Sequence, residues 1–233
     1  MGNTKHFDDW APTYDEDLQK QGKRFPFIGY DIVIASIVDL IPRRPIRVLD
    51  LGVGTGNLAV QIVAHNPRVE VWAVDSSRRM LERAQQKLPG AHLIQADLRT
   101  ELLGLDLPRF GSIVSAYVFH ELPDEHKVDL IEHLLQHRLE PSGCLIIGDI
   151  AFTTTAQRDE AHRTMAPYWD AAEHYLVAED FLKSLHARGI NGAYHQISVC
   201  AGIVTIPAEQ TSGGAGTTGI IRAGAIRTPS LSA

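Results

Sequence analysis

The sequence predicts an α/β fold, a doubly wound and mostly parallel sheet with helices on both faces. Short apolar runs rich in Val, Ile and Leu alternate with amphipathic segments of helical periodicity through the first 150 residues. One of these runs, 46–51, is followed by three glycines at alternate positions and then by an apolar helix. With 233 residues, 44% of them hydrophobic, the chain is long enough for one domain with a full core.

The individual elements follow from this alternation. Strands are predicted at 46–51, 69–74, 91–95, 111–116 and 144–150, and helices at 57–65, 77–88 and 124–138. An apolar helix is predicted at 30–40, ended by Pro42 and Pro45. Further helical segments are predicted at 156–173 and 179–188, and 193–206 has two short β-rich runs typical of a hairpin. Strands separated by helices favour βαβ units, and therefore a parallel sheet.

A change in composition near Ala208 divides the chain into two parts. Residues 1–207 are predicted to form the folded domain, with helices in an N-terminal segment at 1–40. Residues 208–233 are rich in Gly, Ser, Thr and Ala and contain no aromatic residue. Such a segment buries little apolar surface, so a flexible tail is predicted.

The amino-acid composition indicates which classes of binding partner to expect. The formal net charge of −6 argues against a broad nucleic-acid surface, which needs clustered basic residues. The sequence contains no apolar run of 18 residues and no N-terminal signal segment, so no membrane contact is expected. Cys144 and Cys200 both lie in apolar runs, as core thiols of a reducing compartment do. We therefore expect a cytoplasmic protein, monomeric or homodimeric, with a small-molecule substrate.

The most informative motif is the turn after the first predicted strand. Asp50 is followed by Gly52, Gly54 and Gly56, and a helix begins at Asn57. Glycines let the backbone approach a ligand closely, and the unpaired N–H groups of a helix start favour an anionic group. The dinucleotide fingerprint is G-x-G-x-x-G, and Asn57 stands where its third glycine would be.

A second acidic residue supports a different cofactor. Asp75 ends the next apolar run, 19 residues after Gly56. A carboxylate at this position can accept two hydrogen bonds from a ribose diol. Together, the glycine turn and this acid resemble the Rossmann-like class of S-adenosylmethionine-dependent methyltransferases. The resemblance spans about residues 7–206 and implies a seven-stranded sheet with an antiparallel final hairpin.

The same resemblance implies further cofactor contacts. Ser76 would border the adenine, Asp97 would accept a hydrogen bond from the adenine amino group, and the backbone of Leu98 would reach the ring. Ser115, near the end of the fourth strand, would face the methyl group. Asp50 and the three glycines would complete the site for S-adenosylmethionine, with S-adenosylhomocysteine as the product.

Two residues after the fourth strand are candidate proton acceptors. His120 and Glu121 lie where parallel sheets bind ligands, beyond the carboxyl ends of the strands. A histidine titrates near neutral pH and so suits a general base, although His120 could equally pack or cap the next helix. Asp149, at the end of the fifth strand, lies on the same rim. Because a sulfonium methyl group is already activated, no metal is expected.

The N-terminal segment carries one more motif. Residues 7–15 resemble the Phe-x-x-Trp-Ala-x-x-Tyr-Asp lid of a bacterial subgroup of small-molecule methyltransferases. Phe7, Trp10 and Tyr14 are spaced by three and four residues and so share one helical face. This face could equally pack in the core. Tyr14 is the predicted cofactor contact, because its hydroxyl can donate a hydrogen bond to an anion.

The sequence thus predicts a methyltransferase that transfers a methyl group from S-adenosylmethionine to a small molecule. One alternative is a non-catalytic protein that binds S-adenosylmethionine or S-adenosylhomocysteine and acts as a regulator. Another is an oxidoreductase that binds a dinucleotide on the same turn, against which the missing third glycine argues. The acceptor atom, whether carbon, nitrogen, oxygen or sulfur, is left open.

Overall fold

A computed structural model describes residues 4–21 and 24–210, and residues 211–233 of the tail predicted at 208–233 lie outside them. Within these residues the strands are β1 (Ile46–Leu51), β2 (Val69–Asp75), β3 (His92–Gln95), β4 (Phe110–Ala116), β5 (Leu139–Phe152), β6 (Leu176–Val177), β7 (Ala193–Gln196) and β8 (Ala201–Pro207). The helices are α1 (Thr4–Trp10), α2 (Tyr14–Gln21), α3 (Tyr30–Asp39), α4 (Asn57–His65), α5 (Arg78–Lys87), α6 (Asp124–His137), α7 (Thr155–Thr164) and α8 (Ala178–Ala187).

The sheet has the order β3-β2-β1-β4-β5-β8-β7. β1 to β5 are mutually parallel, whereas β8 is antiparallel to both β5 and β7. The predicted mostly parallel seven-stranded sheet with an antiparallel final hairpin is therefore confirmed. The order reverses between β1 and β4, and at such a switch point the loops after the two strands separate and leave a crevice.

Alternate side chains of each central strand point to opposite faces of the sheet, and both faces are covered. Val48 of β1 packs with α3 and α4 on one face, whereas Leu49 packs with α6 and α8 on the other. Val114 and Ile113 divide in the same way on β4. Because both faces are buried, the strands are apolar at successive positions rather than alternately polar.

Two segments differ from the predicted elements. The helical segment predicted at 156–173 ends as α7 at Thr164 and is followed by a single 3-10 turn at 166–168 that contains Pro167. The short strand β6 then pairs with the end of β5. β5 itself begins five residues earlier than predicted, at Leu139, and runs through Pro141 and Gly143.

The N-terminal helices divide into two groups. The buried face of α3 contacts the sheet directly, with Val33 and Ile37 seated where Gly148 of β5 has no side chain. α1 and α2 lie instead over the carboxyl ends of the strands, and these two helices are called the lid below. Within residues 4–21 and 24–210, no helix combines the length and the apolar character needed to cross a membrane.

A buried lysine ties the segment between α7 and β6 to the body of the fold. The side chain of Lys127 on α6 is 0% exposed. Its Nζ donates to the His174 carbonyl at 2.5 Å and to Asp124 Oδ1 at 2.6 Å. The N–H of His174 in turn donates to the His120 carbonyl at 2.7 Å. Lys127 therefore fixes this segment beside the end of β4.

Replacing Lys127 by Met should lower the free energy of unfolding by about 1–3 kcal/mol, because the His174 carbonyl would lose its buried, charged donor. Urea denaturation would measure the loss. Lys183→Met is the matched control, since Lys183 is exposed and its Nζ lies 3.4 Å from Asp180 Oδ1. Equal stability of the two variants would contradict a structural role for the Lys127 ammonium group.

Candidate active site

A cavity with about 980 Å³ of empty space, counted out to its open mouth, lies at the switch point between β1 and β4. It is walled by the loops after β1, β2, β3 and β4, by the N-terminus of α4 and by the lid. The residues that line it include Phe7, Tyr14, Tyr30, Asp50, Gly52, Gly54, Asp75, Ser76, Asp97, Leu98, Arg99, Tyr117 and Glu121. Most of the predicted site residues therefore surround one space.

Gly52 and Gly54 of the glycine turn line this cavity, whereas Gly56, also predicted to bind the cofactor, packs against Leu88 and Ala84 instead. The φ values of Gly52, Gly54 and Gly56 are 72°, 53° and 89°. Residues other than glycine rarely adopt this region of backbone conformation. A Cβ added to Gly52 would lie 2.3 Å from a methyl carbon of Val118. A Cβ added to Gly54 would have no atom within 4 Å, because it would point into the cavity. Gly54 is thus the position where a ligand can touch the backbone.

Asp75 fixes the glycine turn and still offers acceptor sites to a ligand. Its Oδ2 accepts the N–H of Gly54 at 2.8 Å, and its Oδ1 accepts the N–H of Ser77 at 2.8 Å. Each carboxylate oxygen has two lone-pair sites, so one on each oxygen remains for a diol. Burial raises the pKa of this carboxyl, while the two backbone N–H groups act in the opposite direction.

Asp50 is the least satisfied polar group of the cavity. It is 2% exposed, and its Oδ2 finds no hydrogen-bond donor among the residues that the structure describes. Burial raises its pKa to about 7, and the negative charge of Asp75 adds to the shift. An unpaired buried carboxylate is costly, so a cationic ligand group beside Asp50 would relieve the cost.

Asp97 lies on the rim in an ion pair that the sequence did not predict. Arg99 donates from Nε to Oδ1 at 3.0 Å and from Nη2 to Oδ2 at 2.6 Å, and this guanidinium lowers the pKa of Asp97. The backbone N–H of Arg99 also reaches Oδ1, at 2.8 Å, which leaves one acceptor site on Oδ2. Leu98 is buried next to it and lines the cavity.

The two predicted serines lie in different places. Ser76 lines the cavity, and its Oγ accepts a hydrogen bond from Thr4 of the lid at 3.3 Å. Ser115 is absent from the residues lining the cavity: it is fully buried within β4, where its hydroxyl donates to the Leu51 carbonyl at 2.9 Å. Ser115 therefore joins β4 to β1, and Tyr117, two residues later, lines the cavity instead.

The lid is fastened to the body by two acidic residues. Asp8 accepts hydrogen bonds from Ser77 Oγ at 2.6 Å and from the Arg79 N–H at 3.2 Å, both at the start of α5. Asp15 accepts from Thr55 Oγ1 at 2.6 Å and from Lys87 Nζ at 2.7 Å. The lid is thus held against the N-terminal end of α4 and against both ends of α5, over the glycine turn.

The aromatic face of the lid divides between packing and the cavity. Phe7 and Tyr14 line the cavity, whereas Trp10 donates to Asp17 Oδ2 at 2.9 Å and packs edge-on against Tyr14. Burial raises the pKa of Tyr14 well above its usual range, so its hydroxyl remains a donor. This placement is compatible with the predicted cofactor contact of Tyr14.

His120 lies behind the cavity rather than in its wall. Its side chain is 9% exposed, and Nδ1 is 2.6 Å from Asp149 Oδ1. Burial opposes protonation, but the carboxylate of Asp149, with those of Glu173 and Glu121, raises the pKa of His120 to about 9. The imidazole is therefore protonated at neutral pH, which is opposite to the state expected of a general base.

Glu121 is the acid that lines the cavity beside this histidine. Its Oε1 lies 3.9 Å from His120 Nε2, on the side of the ring away from Asp149. Of the two predicted proton acceptors, the one that a ligand in the cavity could contact is therefore Glu121. Asp149 is 1% exposed, does not line the cavity, and contacts His120 Nδ1 on the far side of the ring.

Sequence reasoning missed three residues of the site. Asp15 fastens the lid, Arg99 pairs with Asp97, and Tyr117 lines the cavity with φ of 56° and a buried hydroxyl that has no hydrogen-bond partner in the described part of the chain. Asp15 ends the lid motif and Tyr117 directly follows β4, so both positions carried a signal. Arg99 follows Asp97 by two residues, a spacing with no diagnostic value.

Comparisons with known proteins give the family. A family model described as a methyltransferase domain matches residues 48–143. Uncharacterized methyltransferases of Geobacillus kaustophilus and Bacillus pumilus are both 30% identical, over 201 and 203 residues. These matches cover 82% of this chain in each case, and 89% and 91% of the two relatives. The chain belongs to the methyltransferase family.

Solved structures of other methyltransferases share the fold. The complex of DhpI with SAH superposes with a TM-score of 0.66 and 15% identity, over 88% of this chain and 94% of that one. Magnesium protoporphyrin IX methyltransferase from Synechocystis, with bound SAH, gives 0.64 and 18%, over 87% of this chain and 98% of that one. The Rossmann-like methyltransferase fold is therefore common to chains of very different sequence.

Two glycine variants of this methyltransferase should differ in their thermal stability. Gly54→Ala should remain folded, at a cost of about 1–2 kcal/mol for the left-handed backbone. Gly52→Ala should lose more, because its Cβ would also overlap Val118. Thermal denaturation of both variants checks the order, and a Gly54→Ala variant less stable than Gly52→Ala would contradict the open space at Gly54.

Asp50→Asn should stabilise the ligand-free methyltransferase in a pH-dependent way. Between about pH 4 and pH 7 the unfolded chain releases the Asp50 proton while the folded chain retains it, so rising pH destabilises the wild type. The Asn variant has no proton to release and so does not lose this stability. From the shift in the pKa of Asp50, the loss in the free energy of unfolding amounts to at most about 4 kcal/mol above pH 7.

Melting temperatures across this pH range check the prediction, with Asp39→Asn, an exposed acid on α3, as the control. The difference between Asp50→Asn and the wild type should grow with pH and then level off. A difference that is constant with pH would mean that the buried group does not titrate there.

Proposed function

We propose that this methyltransferase transfers a methyl group from S-adenosylmethionine to a small-molecule acceptor. The observation that carries the proposal is the buried, unpartnered oxygen of Asp50, which faces the glycine turn. S-adenosylmethionine has an ammonium group that matches this oxygen and a ribose diol that matches the free acceptor sites of Asp75. Two superposing structures are complexes of DhpI with SAH and with SAM, and they support the same cofactor class.

The cavity residues fit the parts of this cofactor in order. Asp75 would accept both ribose hydroxyls, and Ser76 and Leu98 would flank the adenine. Asp97 would accept the adenine amino group on its remaining Oδ2 site. Asp50 would pair with the ammonium, and the protonated hydroxyl of Tyr14 would donate to the methionine carboxylate. The lid would then close the cofactor site, as in the subgroup whose motif residues 7–15 resemble.

The charges in the cavity favour a cationic methyl donor. Asp50, Asp75 and Glu121 all line the space, and Arg99 is already paired with Asp97. In a site shielded from water, carboxylates stabilise the positive charge of the bound donor. They also disfavour an anionic dinucleotide, which agrees with the missing third glycine and argues against the oxidoreductase alternative.

The chemical step needs positioning more than it needs acid or base. A lone pair of the acceptor attacks the methyl carbon in line with the carbon–sulfur bond, whose electron pair passes to sulfur. S-adenosylhomocysteine and the methylated acceptor result, and an acceptor that carried a proton releases it. Glu121 is the proposed proton acceptor because it lines the cavity, and alignment by the closed lid would supply much of the rate.

The cellular setting is proposed on the same grounds. The acceptor is a small molecule in the cytoplasm, and neither nucleic acid nor membrane takes part, in a monomer or homodimer. The non-catalytic regulator is the second candidate, because the described features of the cofactor site would serve binding alone equally well. The position of Glu121 beside the cavity favours the enzyme.

Isothermal titration calorimetry with S-adenosylmethionine, S-adenosylhomocysteine and NAD tests the cofactor. Asp75→Ala should weaken binding of the first two by at least about tenfold, since it removes two charge-assisted hydrogen bonds. Asp39→Ala should bind as the wild type does. NAD binding, or no binding of either methyl-donor compound, would overturn the proposal.

Turnover distinguishes the enzyme from the regulator. Candidate acceptors would be incubated with S-adenosylmethionine and screened by mass spectrometry for the gain of one methyl group. Glu121→Gln should bind the donor normally but transfer more slowly to acceptors that must lose a proton. Tight donor binding without methylation of any acceptor across the carbon, nitrogen, oxygen and sulfur classes would favour the regulator.

A further inference from the structure

We propose that His120, Glu121 and Glu173 bind a divalent transition-metal ion beside the cavity. One ligand atom from each residue lies within 4.8 Å of the others. His120 Nε2 is 3.9 Å from Glu121 Oε1 and 3.8 Å from Glu173 Oε1. Two ligands of a tetrahedral ion lie about 3.4 Å apart, so the two histidine–glutamate distances would contract by about half an ångström, and the two glutamate oxygens, which are within 4.8 Å of each other, would also move together.

The histidine is oriented as a metal ligand is, and binding of the ion would displace the proton from Nε2. Asp149 accepts from His120 Nδ1 at 2.6 Å and also from the His120 backbone N–H at 3.1 Å. This fixes the ring and directs Nε2 toward the two glutamates. Nε2 itself makes no hydrogen bond to any part of the chain that the structure describes. A carboxylate behind a histidine whose other nitrogen faces further ligands is the usual outer shell of a metal site.

The charges around Nε2 also favour a cation. Three carboxylates, those of Asp149, Glu121 and Glu173, surround one imidazole, so negative charge is in excess even when the ring is protonated. The position of Glu173 is fixed by its neighbour His174, whose carbonyl and N–H are bonded to Lys127 and to His120. The two sides of the site therefore cannot separate easily.

One nitrogen and two carboxylate oxygens suit Zn²⁺ or Mn²⁺ and leave a coordination position open. Because Glu121 also lines the cavity, the open position adjoins the space for the acceptor. This functional role rests on the proposed methyl transfer: the ion would bind an acceptor hydroxyl or thiol and lower its pKa, and the proton would pass to water, because Glu121 is then a metal ligand. The oxygen or sulfur would attack the methyl carbon as the carbon–sulfur electron pair passes to the sulfur of the donor. The ion would favour oxygen or sulfur acceptors over carbon.

Direct metal binding tests the site independently of catalysis. Protein freed of metal with a chelator would be titrated with Zn²⁺ by calorimetry and with Mn²⁺ by electron paramagnetic resonance. We expect one ion per chain, with affinity reduced at least about 100-fold in Glu173→Gln and about 10–100-fold in Asp149→Asn. Glu125→Gln, which changes an exposed glutamate on α6, should bind as the wild type does.

A second histidine pair provides the decisive control. His133 and His137 lie one turn apart on α6, with ring centroids 4.7 Å from each other, and such pairs bind Zn²⁺ adventitiously. His133→Asn should leave the proposed site intact. Absence of binding, binding lost in His133→Asn, or binding unchanged in Glu173→Gln would each overturn the proposal, provided that circular dichroism shows the variants to be folded.

The failure of this inference can be told apart from failure of the proposed function. S-adenosylmethionine binding would be measured on the same metal-free protein. Donor binding without metal binding would remove the metal site alone. Metal binding lost in Glu173→Gln, with no donor binding, would retain the site and remove the methyl-transfer role.

Discussion

The hydrogen bond from the Gly54 N–H to the Asp75 carboxylate joins the two halves of the candidate site. It links the turn after β1 to the end of β2, together with the N–H groups of Gly52 and Val53, which donate to the Val74 carbonyl at 2.8 and 3.1 Å. The turn can approach Asp75 so closely because its glycines have positive φ values and lack side chains. The cavity floor, the start of α4 and the anchoring of the lid on Thr55 all depend on this geometry.

The lid shows why the N-terminal segment belongs to the site. Two carboxylates hold it in place: Asp8 accepts the N–H of Arg79 in the first turn of α5, which Ser77 also caps, and Asp15 accepts from the side chain of Thr55 just before α4. These bonds are short but lie near the surface, so each contributes modestly and can break without unfolding the sheet. Such a fastening suits a cover that admits a ligand and then closes over it.

The local features of this fold could be predicted from the sequence, and the non-local ones could not. β1, the glycine turn and Asp75 are specified by residues next to one another, and the structure places them as predicted. The helix predicted at 156–173 was too long because periodicity did not register the stop before Pro167. Ser115 was assigned to the cavity, yet it is still inside β4, and the rim position belongs to Tyr117.

The surroundings of His120 are one of the non-local features that could not be predicted from the sequence. Asp149 is 29 residues away along the chain and Glu173 is 53 residues away, so neither contact leaves a periodic signal in the sequence. The pairing of β4 with β5 brings Asp149 to the histidine, and the Lys127 contacts, the bond from His174 to His120 and the pairing of β6 with β5 bring the 173 region to the same place. The residue type of His120 suggested a general base. The neighbouring carboxylates instead raise its pKa and so favour the protonated imidazole.

Two buried aspartates on this sheet differ in whether the protein itself supplies hydrogen-bond donors to their carboxylates. Asp149 is 1% exposed and accepts hydrogen bonds from His120 and from the Ile150 N–H, so its burial is compensated within the protein. Asp50 is 2% exposed, yet its Oδ2 has no donor among the described residues. Such a group is retained against its cost to stability where a ligand completes it. The unsatisfied carboxylate therefore marks the ligand's place in the fold more directly than any satisfied one.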